Sequence, residues 1–253
     1  MMTTRIKSTF LLVLLSVAMT GCVSTAGKSK VDPQASASNT NLALEYFRIG
    51  QREVAMEKIE KAIEQDPDYA QAHLVKGMLL AELKEYSAAE DSFEEALDLA
   101  PEDAAVQNNF GGFLCDRGEY DDGIEMFMLA ANNQYYGRPE SAWTNAGTCA
   151  KRKGDFAEAE NMYRQALKIN PAYPLALWQM ADLSFERGNY LGARAFMQRL
   201  ESTATLPPEA IWLGVRIERR LEDKQAEKRY SDILMRDYPD SREANLLMES
   251  RSD

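Results

Sequence analysis

Residues of matching character recur every 34 positions along this chain. Pro67 and Pro101 are 34 apart, and the same step separates Ala55 from Ala89, Ala62 from Ala96, Gly77 from Gly111, and Phe93 from Phe127. The next unit comes two residues late and brings Gly147, Ala159, Tyr163, Ala166 and Pro171. A unit of this size cannot bury its own apolar face and must stack on its neighbours to make a core. The period therefore points to one continuous stack of helix pairs rather than to two domains. The unit near residue 140 shows the mechanics. Its small residues let two antiparallel helices approach, and Trp143 and Tyr163 fill the gap between them. Gly154 ends the first helix in a left-handed cap, and Pro171 blocks continuation of the second. Gly50, Gly118 and Gly188 mark the same turn in other units, where the second unit has Lys84.

The period and residue types resemble the tetratricopeptide repeat, which has small residues at positions 8, 20 and 27, large apolar ones at 4, 11 and 24, and Pro at 32. The resemblance implies an all-α fold, an α-solenoid of about six tetratricopeptide repeats in a right-handed superhelix. The expected repeats are 36–69, 70–103, 104–139, 140–173, 174–206 and a degenerate 207–240 carrying Trp212, Tyr230 and Pro239. Glu243 to Met248 is expected to form part of a helix covering the last apolar face.

The N-terminus has another logic. Arg5 and Lys7 precede an apolar run from Phe10 to Met19, followed by Thr20-Gly21-Cys22. This is the pattern of a secretory signal, and the run falls short of the ~20 residues that span a bilayer. Small residues directly before a cysteine resemble the bacterial lipobox, with Cys22 lipidated as the new N-terminus and Met19 a mild departure. The alternative is a plain signal with an incidental cysteine. Val23 after the lipidated residue leans, by the sorting rule of such lipoproteins, to the outer membrane. The expected domains are a signal peptide over 1–21, a lipidated Cys22 and flexible tether over 22–40, and the solenoid over 41–253. A Ser/Ala/Thr-rich tether of this length reaches roughly 25 Å.

Composition removes most chemistry. The 29 Lys+Arg and 40 Asp+Glu give a net charge of −11, or −13 once Arg5 and Lys7 leave with the signal. That balance disfavours nucleic acid, whose phosphates require clustered Lys and Arg. There is one histidine, His73, so metal sites and His-assisted nucleophiles all compete for one imidazole. His73 occupies a packing position. Asn109 and Asn145, at position 6 of their repeats, read as structural. Carboxylate pairs such as Glu94-Glu95 and Asp121-Asp122 read as solubilising charges. No catalytic residue, metal, cofactor or small-molecule substrate is expected.

Cys115 and Cys149 fall near the ends of the first helices of adjacent repeats. Neighbouring helices bring such residues to a Cα separation of roughly 5–6 Å, within disulfide reach. An oxidising periplasm favours the bond, and closing a loop of this size is worth roughly 3–4 kcal/mol in the chain-entropy model. Two buried free thiols are the alternative. Positions 2, 5, 9, 12 and 13 of the first helices line the concave groove of such a solenoid. They place Leu44, Phe47, Leu74, Met78 and Ala81 in an apolar stretch that runs into Ala105, Asn108, Gly112, Cys115 and Asp116. Exposed apolar surface commonly marks a partner site. Asn108 is expected to hydrogen-bond a ligand backbone and Gly112 to permit close approach. Packing of Leu44 and Phe47 under the tether is the competing reading.

One block discriminates further. Asn108-Asn109-Phe110-Gly111-Gly112-Phe113-Leu114-Cys115, followed by Glu119-Tyr120, resembles the type IV pilus biogenesis/stability lipoprotein family often called PilF or PilW. So does Met180-Ala181-Asp182-Leu183 through Tyr190 and Arg194. The resemblance implies a non-enzymatic pilotin, lipid-anchored in the outer membrane and facing the periplasm. Such a protein binds the type IV pilus secretin and promotes its localisation and multimer assembly. Periodicity alone implies a periplasmic peptide-binding scaffold. The alternative function is a generic periplasmic repeat adaptor for peptidoglycan enzymes or another secretion machine.

Overall fold

A computed structural model describes residues 31–250 and contains, among them, thirteen α-helices and no strand. The signal peptide, Cys22 and the tether up to residue 30 lie outside the described residues. The helices form six antiparallel pairs. These are α1 (Pro33–Arg48) with α2 (Arg52–Gln65), α3 (Ala70–Glu82) with α4 (Tyr86–Leu99), and α5 (Ala104–Arg117) with α6 (Tyr120–Asn132). They continue with α7 (Pro139–Lys153) and α8 (Phe156–Ile169), α9 (Pro174–Glu186) and α10 (Tyr190–Glu201), and α11 (Pro208–Arg220) and α12 (Lys224–Asp237). Successive first helices pack side by side, and α13 (Arg242–Glu249) closes the stack against α11 and α12. Ala244 and Leu247 of α13 are fully buried, so it caps the end as expected.

One boundary needs correction. The segment 33–40, read as tether, is the first half of α1. The Asp32 carboxylate accepts the Ala35 N–H at 3.0 Å, and Pro33 takes the first helical position, where its missing N–H costs nothing. Ser36 and Thr40 face inward at 0% and 3% exposure, and the Thr40 hydroxyl donates to the Ser36 carbonyl at 3.0 Å. Small polar residues serve here as the close-packing residues of the first repeat. They carry no apolar period, which is why the sequence pattern hid them.

The turn inside each pair is one conformation used six times. Gly50, Lys84, Gly118, Gly154, Gly188 and Glu222 all have positive φ, from 59° to 92°. Glycine enters this region freely, whereas Lys84 and Glu222 pay the left-handed penalty of about 1–2 kcal/mol. Within the pairs, a glycine on the first helix admits an aromatic ring from the second. A Cβ on Gly147 would stand 2.6 Å from Tyr163 Cε1. The closest backbone approach joins α5 and α6, where a Cβ on Gly111 would stand 2.9 Å from the Gly123 carbonyl oxygen.

The irregular connections are pinned by polar contacts. In the 133–138 loop, the Asn133 amide donates to the Glu102 carbonyl at 2.8 Å and its oxygen accepts the Tyr135 N–H at 2.9 Å. Further on, the Tyr238 hydroxyl donates to the Leu206 carbonyl at 3.0 Å. The core is continuous from Cys115 to Leu247 across the third to sixth repeats. Smaller separate clusters serve the first and second repeats and the second and third.

Candidate partner-binding groove

The row of first helices brings Phe47 of α1, Met78 of α3 and Gly112 of α5 around one cavity of about 470 Å³. Its floor is aromatic. Phe93, Phe110 and Phe113 form a cluster with ring centroids 5.1 to 6.3 Å apart, and Phe93 and Phe113 reach the cavity. At one edge the Arg117 guanidinium lies 4.7 Å from the centre of the Tyr86 ring, a cation–π distance. Tyr86, Phe93, Phe113 and Arg117 were not among the groove positions read from the sequence. Phe93 and Phe113 hold positions that normally belong to the core, and only the trio of phenylalanines in register hinted that the floor would be theirs.

A second cavity of about 290 Å³ adjoins the first and shares Asn109, Gly112 and Asp116 with it. It is the more polar of the two, lined also by Asn108, Asn145, Thr148 and Arg152 beside Phe127 and the two cysteines. The Asn108 oxygen accepts from the Asn145 amide at 3.1 Å, and the Asn109 amide donates to the Ala105 carbonyl at 2.7 Å. Arg152 bonds Asp116 at 2.6 Å, tying α7 to α5. Gly112 is the hinge between the cavities. A Cβ there would meet nothing nearer than Phe127 Cζ at 4.0 Å, so packing does not require a glycine. The missing side chain keeps the two cavities open to each other.

Three of the expected groove residues lie elsewhere, among them Ala105 at the start of α5, which lines neither cavity. Leu74 is a correction: it is 4% exposed and packs with Val106, Phe110 and Phe93. α3 is covered by α5 at that position, so a large side chain is absorbed into the contact between repeats. Leu44 is half-buried in the core of the first repeat beside Phe47 and Met56 and lines neither cavity. Met78 and Gly112, one turn beyond position 5, keep the partial exposure that Leu74 lacks.

Cys115 and Cys149 are joined across α5 and α7, with Cα atoms 5.7 Å apart, and both border the polar cavity. His73 is half-buried, with Nε2 2.7 Å from the Pro67 carbonyl oxygen, a contact within the turn between α2 and α3. Among the described residues, no group of three or more His, Cys, Asp or Glu side chains could hold a metal ion. Beyond the polar cavity the wall becomes ionic. Lys151 of α7 bonds Asp182 and, at 3.0 Å, Glu186 of α9. Burial opposes its charge, but the two carboxylates more than offset this and hold its pKa above the ordinary lysine value. The sign follows: this contribution is present throughout neutral pH and fades only as pH rises past the lysine range.

With this geometry in place, the similarities of the chain are specific. Three tetratricopeptide-repeat family models match residues 40–104, 102–172 and 150–210. The type IV pilus assembly protein PilF of Pseudomonas aeruginosa is 28% identical over 92% of this chain and 94% of its own length. The crystal structure of PilW, a widely conserved type IV pilus biogenesis factor, superposes with a TM-score of 0.77 at 30% identity, over 86% of this chain and all of that one. The chain belongs to this family of type IV pilus biogenesis tetratricopeptide-repeat proteins. The solved structure of P. aeruginosa PilF gives a TM-score of 0.73 at 26% identity, over 85% and 97% of the two chains. Membership explains the full-length correspondence of the six repeats, which the generic repeat pattern alone does not require.

Proposed function

We propose that the chain is a non-enzymatic pilotin-type scaffold. In this reading it is anchored in the outer membrane through a lipidated Cys22, faces the periplasm, and docks a segment of the type IV pilus secretin so that the secretin reaches the membrane and forms its multimer. The groove supports the docking. A cavity walled on one side by Phe47, Met78 and Phe113 is continuous, past Gly112, with a slightly more polar one lined by Asn108 and Asn145. Such a pairing suits a peptide, with an apolar side chain in the first cavity and its backbone against the amides of the second. Asn108 uses its oxygen for Asn145 and offers its N–H groups to a ligand carbonyl. Kinship with PilF and PilW supports the secretin as the source of that peptide.

The test exploits Gly112. Gly112→Leu has room for its Cβ and removes a helix-interior glycine, so stability is expected to hold or to rise by about 0.5–1 kcal/mol. The side chain would close the groove. A strain carrying this variant in place of the wild-type gene is expected to lose secretin multimers and surface pili at unchanged protein level. Normal multimers and piliation would remove the groove from the function. Mass spectrometry of the mature N-terminus tests the anchor, with an acylated Cys22 expected.

A further inference from the structure

The second helices of the second and third repeats differ in character from the groove. α4 carries Glu90, Asp91, Glu94, Glu95 and Asp98, and α6 carries Asp121, Asp122 and Glu125, with no Lys or Arg in either helix. All but Glu90 are exposed. Between α6 and α8 lies a cavity of about 380 Å³ walled by Ile124, Met128 and Leu129. Leu129 is 46% exposed. Asp121, Glu125 and Glu158 stand around the cavity. Lys153 bonds Asp121 and lies within the field of Glu158, so one cation serves two of the three and Glu125 has none. The slot shares no lining residue with either groove cavity.

An apolar slot rimmed by three carboxylates that share one lysine selects its occupant by charge. An anionic lipid surface is repelled. A second copy of this chain, at −13 without the signal, is repelled as well. A neutral apolar segment would fill the slot but leave the surrounding carboxylates without partners. A segment with apolar side chains flanked by Lys or Arg satisfies both the slot and its surroundings. We propose that this slot on α6 and α8 is a second docking surface, independent of the groove, for a cationic amphipathic segment of another protein. The molecule would then hold two proteins at once, one on each face of the solenoid.

The experiment replaces Leu129 of the full chain by photo-reactive p-benzoylphenylalanine in the native host and identifies the attached peptide by mass spectrometry. The expected product is a protein segment with Lys or Arg on both sides of apolar residues. Glu125→Lys combined with Glu158→Gln is expected to lower its yield about tenfold, the factor set by 1.4 kcal/mol. Capture from the same probe at position 78 is expected to stay unchanged. A lipid adduct, a second copy of this chain, a segment without excess positive charge, no product, or a yield indifferent to the charge changes would each overturn the proposal. If the charge variant melts early, ionic strength replaces it. The captured segment, made as a synthetic peptide, must then bind the purified wild-type chain severalfold more weakly at high salt, and salt-independent binding would refute the assignment.

Discussion

Residues 31–137 carry seven Lys and Arg against 22 Asp and Glu, whereas residues 138–250 carry 17 of each. The two halves share one repeat geometry and use charge differently. In the second half ion pairs tie repeats together. Lys151 joins Asp182 and Glu186, Arg187 meets Glu160 at 2.6 Å, and Arg194 of α10 binds the buried Glu218 of α11. In the first half the Arg52–Glu82 pair links the first two repeats, and most other carboxylates face solvent without a cation. Like charges left unbalanced repel and weaken the compact state, yet they also draw in partners of opposite charge. The core follows the same division, continuous toward the C-terminal end and broken into smaller clusters toward the other. The half with the weaker interior is the half that holds the apolar groove. A stack of repeats tolerates this because each repeat depends mainly on its neighbours.

The largest expected effect breaks the stronger half. Tyr163 is fully buried against Gly147, and Tyr163→Ala is expected to cost about 3–5 kcal/mol, measured by urea denaturation. A smaller loss than that of a comparable change at Phe93 would reverse the ranking of the halves. Next comes the bridge between them. Replacing Cys115 and Cys149 by Ala together is expected to cost about 3 kcal/mol and to split one urea transition into two, the earlier belonging to the first repeats. A single transition at an unchanged midpoint would show that the disulfide does not couple them. Lys84→Gly and Glu222→Gly relieve one strained turn in each half, each with an expected gain of about 0.5–1 kcal/mol. A Tm that falls in either variant would show that the turn is not strained. The subtlest effect is ionic. Raising salt is expected to slow hydrogen exchange in α4 and α6 by screening their carboxylates, and to slow it less in α10 and α12. Equal changes in both regions would dissolve the electrostatic contrast.

Much of this was legible in the residues. The period placed the six helix pairs and the cap to within a few residues. The glycines marked four of the six turns, and the spacing of Cys115 and Cys149 placed them on adjacent first helices. Legibility stopped where a neighbour decides. Leu74 and Asn108 hold the same position in successive repeats, yet Leu74 is core and Asn108 lines a cavity. The start of α1 was hidden because Ser36 and Thr40 are buried by virtue of their small size, with the Thr40 hydroxyl bonded to the Ser36 carbonyl, rather than by an apolar pattern.

By itself the sequence determined that this chain stacks paired helices, where each pair turns and which residues keep the helices close. Those are local properties, set by backbone freedom and side-chain volume at fixed spacing. Only the tertiary structure decided that Phe93 and Phe113 floor the groove, that Gly112 joins its apolar and polar halves, and that α4 and α6 present uncompensated acid beside an exposed leucine. These depend on which side chains of different repeats meet across a contact, and no single repeat contains that information.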